Sequence, residues 1–321
     1  MQSTSHNAAV ASKTAGTPPL PSTGGYWRWL RDRFRESQKI GYVFVLPYLV
    51  FFAVFVAYPL IFAFILVFHS WNIVSPMRFV GLWNIERLLF NDPLFWKALG
   101  NTLKFLMLHI PLQLVLALMI AVILNQRIPL RGFFRSAFFL PFVISGAVVT
   151  ILWQALYSTD AGVFNLVLRK LGLPGVGWLT DPGIAIYSIA IMATWKNLGF
   201  YIILFLAGLQ GIPGYLYEAA AIDGANRWHQ FWRITLPLLN QITLLVVILS
   251  TMGGFSLFIE PFVMTGGGPA DSTLSVVLYL YKHAFQFLHM GYAATIGFVL
   301  AAMVFVVIVI QRKLMSGETY V

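Results

Sequence analysis

Hydrophobic positions run along this chain in long blocks, with neither the two-residue alternation of a half-buried strand nor the stripe of a surface helix. Six blocks reach the roughly 20 residues that a helix needs to cross a hydrocarbon core: 41–68, 102–124, 136–156, 183–209, 238–259 and 290–310. They predict an all-α polytopic membrane protein with six transmembrane helices. Ionisable residues are nearly absent from the blocks, with Lys104 at the edge of the second and Lys196 inside the fourth. A seventh apolar run, 272–281, is too short to span and reads as a re-entrant or surface helix.

The loops between the blocks carry an orientation signal. With the N-terminus inside, the inner segments hold thirteen Lys and Arg and the outer loops six. That bias places both termini on the cytoplasmic side. Residues 1–25 are rich in Ser, Thr, Ala, Pro and Gly without an apolar core, which predicts a disordered tail and no signal peptide. In 26–39, Tyr26, Trp27, Leu30 and Phe34 share a helical face largely clear of Arg28, Arg31 and Arg35. Two readings stay open there: a helix lying on the inner membrane surface, or a basic flank that only sets topology. The remainder, 40–321, is the six-helix transmembrane domain.

Composition narrows the solvent. The chain is 59% apolar and 10% charged, against about 25% charged in a soluble domain. Its net charge of +10 lies in short clusters between apolar runs rather than on one face, which argues against a nucleic-acid partner. There is no cysteine, so disulfides and thiolate metal sites are excluded.

One polar insert breaks the pattern: YEAAAIDGANRWHQFWRITLPLL, residues 217–239. Pro213 suits a first helical position. Asp223 and Gly224 predict a break after a first short helix, because glycine tolerates positive φ and Asp bonds to nearby backbone. Trp228, Phe231 and Trp232 fall at i, i+3 and i+4 and make one aromatic face of a second helix. Taken alone, this is a helix-turn-helix connector.

The residues are more specific than that. Glu218-Ala219-Ala220, Asp223-Gly224-Ala225, Phe231, Ile234 and Leu236-Pro237 resemble the EAA loop of ABC importer permeases and match every position of that pattern. LAGLQGIP (206–213) and MTGGGP (264–269), followed by Tyr279, Tyr281, Ala284, Phe285 and Gly291, are similar to the flanking segments of the sugar-permease branch. The resemblance runs from about Gly41 to the C-terminus and is nearest the maltose and glycerol-phosphate type permeases, which work as half of a heterodimer.

The resemblance implies a type I ABC importer permease fold in a prokaryotic cytoplasmic membrane. It implies a coupling loop at 213–237, with Glu218, Ala219, Ala220, Asp223, Gly224, Ala225, Trp228 and Phe231 docking on a cytoplasmic ABC ATPase dimer. It further implies a second homologous permease and an extracytoplasmic solute-binding protein, toward which Thr265, Gly266, Gly267, Gly268 and Pro269 could reach; a plain surface turn is the alternative there. No Gly-x-x-x-x-Gly-Lys-Ser/Thr occurs, so ATP and Mg fall to the partner ATPase and this chain carries no cofactor.

Within the fourth block, Lys196 lies near the midplane at 1.5 Å per residue. A buried cation there is costly unless it faces water or a partner. Trp195, Lys196, Asn197 and Tyr201 therefore read as a solute path, with aromatic faces for sugar C–H surfaces and amides or hydroxyls for sugar hydroxyls. A structural hydrogen bond or snorkelling of Lys196 is the alternative. Trp153 and Gln154 are further path candidates, although tryptophans at that depth also serve as interface anchors. His109 reads as a hydrogen-bonded packing residue, and the six histidines show no metal spacing. The chain thus reads as a carbohydrate importer subunit, with a glycerol-phosphate or polyol-type solute as alternative because Lys196 suits an anion. A stand-alone secondary carrier fits less well, since no acid lies at mid-membrane depth. No catalytic acid, base and nucleophile converge, so an embedded enzyme has no support.

Overall fold

The computed structural model describes residues 41–126 and 128–315. The tail 1–25 and the flank 26–39 lie outside the described residues. The chain divides into two compact units at Ile61 and Phe62. In the first, the described part belongs to α1, Gly41–Val67, which carries a π-helical turn at Ala53–Ala57.

The second unit is helical apart from a two-stranded hairpin, His69–Ser70 against Arg78–Phe79. Its helices are α2 (Trp83–Phe90), α3 (Pro93–Asn125), α4 (Arg131–Val143), α5 (Gly146–Leu156), α6 (Val163–Lys170) and α7 (Ala185–Gln210). After the polar insert come α8 (Gly214–Ile222), α9 (Arg227–Gln230), α10 (Asn240–Phe255), α11 (Ile259–Met264), α12 (Val276–Tyr281) and α13 (Met290–Met315). Five helical stretches are long and apolar enough to cross a membrane, and α4 with α5 makes a sixth if the bent pair is one span.

Three of the expected spans differ in form. The second begins at Pro93 rather than 102, because Asp92 caps it: its Oδ1 accepts from the backbone amides of Leu94 and Phe95 at 3.1 and 3.0 Å, and Pro93 needs no partner at N1. The third is not one rod. α4 and α5 meet at 96° across Ile144 and Ser145, both extended, just after Pro141, whose missing amide weakens the last turn of α4. The fifth breaks at 256–258 between α10 and α11. The short 272–281 run forms only α12, and it is buried rather than superficial: Val276 and Leu278 are inaccessible.

α7 is the central helix. Its apolar window is 61% buried, against 39% or less for the other four spans. It packs chiefly against α3 and then α4. Gly199 makes the second contact, since a Cβ there would collide with the carbonyl of Phe138. At the far end of α3, Asp92 also ties in α12 and α13. Its Oδ2 accepts from the Tyr279 hydroxyl at 2.6 Å and from Tyr292.

Candidate functional site: a polar cavity and an exposed helix pair

A cavity of about 490 Å³ opens beside α7, within the range of roughly 300–1,000 Å³ typical of small-molecule pockets. α7 contributes Lys196, Asn197, Phe200 and Tyr201; α3 contributes Phe105 and His109; α10 and the break after it contribute Ser250, Ser256 and Glu260. The helical period explains the α7 set, since 196, 197, 200 and 201 share one side.

Lys196 Nζ stands 3.7 Å from Glu260 Oε1, with the side chains 14% and 12% exposed. This is the one salt bridge among the described residues. Glu260 lies in the first turn of α11, just past the break at 256–258. The bend between α4 and α5 borders the pair too: a Cβ on Gly146 would lie 2.8 Å from Lys196 Nζ, the mobile end of that side chain. Asn197 donates Nδ2 to the Ala193 carbonyl at 2.9 Å, which leaves Oδ1 without a donor among the described residues. His109 Nδ1 pairs with Thr194 Oγ1 at 2.8 Å and its ring stacks on Phe105. It is a bonded packing residue that also forms part of the wall.

The structure places the other candidates elsewhere. Trp195 leaves the cavity and meets Trp153 at 5.3 Å between ring centres. Trp153 is buried in an aromatic cluster with Tyr157 and Phe164. Gln154 donates Nε2 to the Met264 carbonyl at 3.2 Å. Glu260 was not among the residues expected here. A lone intramembrane cation calls for a partner, and an acid beside the fifth apolar block was the available signal.

The loop at 265–269 is tightly held. Gly266 and Gly267 have φ of +62° and +98°. Thr273 donates to the Gly268 carbonyl at 2.7 Å, and Lys282 to the Gly266 carbonyl at 2.9 Å. From α3, Lys97 donates to the Ala270 carbonyl and Asn101 to that of Asp271, both at 2.7 Å. Lysine and amide clamps thus fix the loop against the mouth of the helix bundle.

The polar insert forms the expected pair of short helices. α8 ends at Ile222, and Gly224 takes φ +82°. The amide of Ala225 then reaches the Ala220 carbonyl at 2.9 Å, closing the last turn as a C-cap does. One detail differs from expectation: Pro213 sits one residue before the helix, as its N-cap. The cap of α9 is Asn226, whose Oδ1 accepts from the His229 amide at 2.9 Å. Tyr217 and Thr235 hydroxyls meet at 2.9 Å, and Gln230 donates to the Ala225 carbonyl at 3.2 Å, so the two helices are locked together. Glu218, Ala219, Asp223 and Gly224 are exposed, and Ala220 and Ala225 half-buried. Trp228, Phe231 and Trp232 form a ring cluster with centres 5.5 to 6.5 Å apart, in which Trp228 is 66% exposed.

Known proteins resemble the chain over most of its length. It is 36% identical over 309 residues to an arabinooligosaccharides transport system permease protein of Bacillus subtilis, covering 95% of this chain and 97% of that protein. It is 39% identical over 277 residues to a lactose transport system permease protein of Rhizobium radiobacter, covering 84% and 92%. Its fold matches a permease chain in a bacterial ABC transporter involved in the import of alginate, with a TM-score of 0.77 and 24% identity over 90% of this chain and 98% of that one. Residues 113–316 match the family model for the inner membrane component of binding-protein-dependent transport systems. With more than half of the chain inside that model and a relative spanning nearly all of it, the chain belongs to the family of binding-protein-dependent transport system inner membrane components.

Proposed function

We propose that the chain is the permease subunit of an ATP-driven importer for a carbohydrate and that it forms half of the path. The observation that carries this is the cavity beside α7. Aromatic rings of Phe105, Phe142, Phe200 and Tyr201 stand there beside an amide, two serines and an ion pair. Aromatic faces with sparse, convergent polar groups are what a sugar needs. Relatives named for arabinooligosaccharides and lactose agree with that class. Both termini are cytoplasmic, as the Lys and Arg bias directs.

The helix pair at 213–237 is the coupling element. Exposed Trp228 and Trp232, with Glu218 in no salt bridge among the described residues, suit a groove on a partner that receives them. The receiver is a cytoplasmic ATPase dimer, which holds ATP and Mg. A second, homologous permease closes the path. An extracytoplasmic solute-binding protein delivers solute on the side of Thr265 to Pro269.

The test is reconstitution. The chain, its partner permease, the ATPase and the binding protein are placed in proteoliposomes, and uptake of labelled arabinotriose and lactose is followed. Uptake of at least one, dependent on ATP and on both permeases, supports the reading. Uptake by this chain alone would make it a stand-alone carrier, and no saccharide uptake by the full set would remove the carbohydrate assignment.

A further inference from the structure

We infer that the Lys196–Glu260 pair makes the cavity selective for uncharged, polyhydroxylated solutes, and that Glu260 is the residue that sets this selectivity. The inference rests on the reading of the cavity as the solute path, and it names which solutes that path admits.

Among the described residues, Lys196 and Glu260 are the only Asp, Glu, Lys or Arg lining the cavity. Their charges cancel, and the wall as a whole is neutral. A lone Lys196 would favour an anionic solute, which is how the fourth apolar block reads by itself. Glu260 removes that preference. An anion drawn to Lys196 meets a carboxylate already in place and must either accept a like charge beside it or displace it. Displacement leaves a largely buried carboxylate without a partner, which is strongly unfavourable. Selectivity built from such a penalty acts against the wrong solute as much as for the right one.

The spacing matters as much as the signs. At 3.7 Å the contact is longer than an N–H···O hydrogen bond of 2.7–3.2 Å. Neither group takes part in a hydrogen bond with the described residues. The ammonium therefore keeps donors and the carboxylate keeps acceptor sites, side by side at one cavity wall. A sugar hydroxyl is at once donor and acceptor, so a vicinal pair of hydroxyls can receive from Lys196 and give to Glu260. A carboxylate or phosphate offers acceptors only and can satisfy one of the two.

The experiment is saturation-transfer NMR on the purified transporter complex, without the binding protein so that its own selectivity does not intervene. The probes are a neutral trisaccharide, its counterpart with one uronate residue, and its counterpart with one hexosamine residue. Wild type should bind the neutral sugar best. Glu260→Gln should shift the ratio of dissociation constants toward the uronate by at least tenfold. Lys196→Gln should shift it toward the hexosamine by a similar factor, and the exchange Lys196→Glu with Glu260→Lys should restore the neutral preference. Opposite shifts in the single variants cannot arise from a general loss of fold. Unchanged ratios in either single variant, with binding retained, would overturn the inference alone. Absence of binding by all three probes to wild type would overturn the reading of the cavity itself, and the inference with it.

Discussion

Gly224 offers a way to strain the turn between α8 and α9 without crowding it. Its φ is +82°, and a Cβ built there meets no heavy atom within 4 Å. Substitution therefore costs backbone energy only. A left-handed residue with a side chain costs on the order of 1–2 kcal/mol, and β-branching adds restriction at χ1. Asn tolerates this region far better. The expected order of function is Gly224, then Asn, then Ala, then Val, with Gly224→Val losing about 1–3 kcal/mol. The strain falls on the bonds of the turn itself, among them the Gly224 amide on the Ala221 carbonyl, the Ala225 amide on the Ala220 carbonyl and the Gln230 side-chain amide on the Ala225 carbonyl. The spans are untouched, so insertion and thermal unfolding of the helix bundle should stay as in wild type. The assay is capture of the ATPase by each purified permease variant, together with ATP hydrolysis stimulated by the loaded binding protein in proteoliposomes. Stimulation should fall severalfold in Gly224→Val and recover substantially in Gly224→Asn. Equal stimulation across the four residues would refute the claim that this turn transmits force.

Trp228→Ala should weaken ATPase capture while leaving the melting temperature of the permease unchanged, since the ring is two-thirds exposed; a matched fall in melting temperature would mean that the ring supports the fold instead. Asp92→Ala should destabilise the contact of the start of α3 with α12 and α13. It removes a helix cap, at ~0.5–2 kcal/mol, and strands two tyrosine hydroxyls, at ~1–3 kcal/mol each; a melting temperature equal to wild type would count against the network. Burial pushes the Asp92 carboxyl upward, but bonds from Tyr279, Tyr292 and the amides of Phe95 and Leu94 leave it below the ordinary 3.8. Its contribution is therefore fully present above that value and is lost as pH falls through the lowered one. The stability gap between wild type and Asp92→Asn should narrow in that acid window and stay constant from pH 5 to 8. Gly199→Ala should cost ~1–3 kcal/mol by overpacking, because the methyl meets the Phe138 backbone, whereas Gly208→Ala meets only the side-chain tips of Ile242 and Leu239 and should be milder; the reverse order in thermal unfolding would refute the packing of α4 on α7.

The spans and the turn at Asp223-Gly224 were legible because their signals are local. A run of apolar residues needs no partner to be read, and neither does a glycine between two short helices. What escaped the sequence depends on partners far along the chain. The bend between α4 and α5 lies inside a run of uniform hydropathy, where Pro141 was its one mark. Asp92-Pro93 announced an earlier start to α3, yet Asp92 also serves Tyr279 and Tyr292, nearly two hundred residues away. Trp195 and Trp153 sit in the same blocks as path candidates but turn their rings to each other, since depth along a helix does not fix which side faces a cavity. Lys196 shows most plainly how such distance changes meaning. Read alone, a mid-membrane cation points to an anionic solute. Glu260, from a different apolar block, stands 3.7 Å from it, and the same cation then belongs to a neutral wall. The chemistry of the cavity is a property of the pair, and neither residue carries it when read alone.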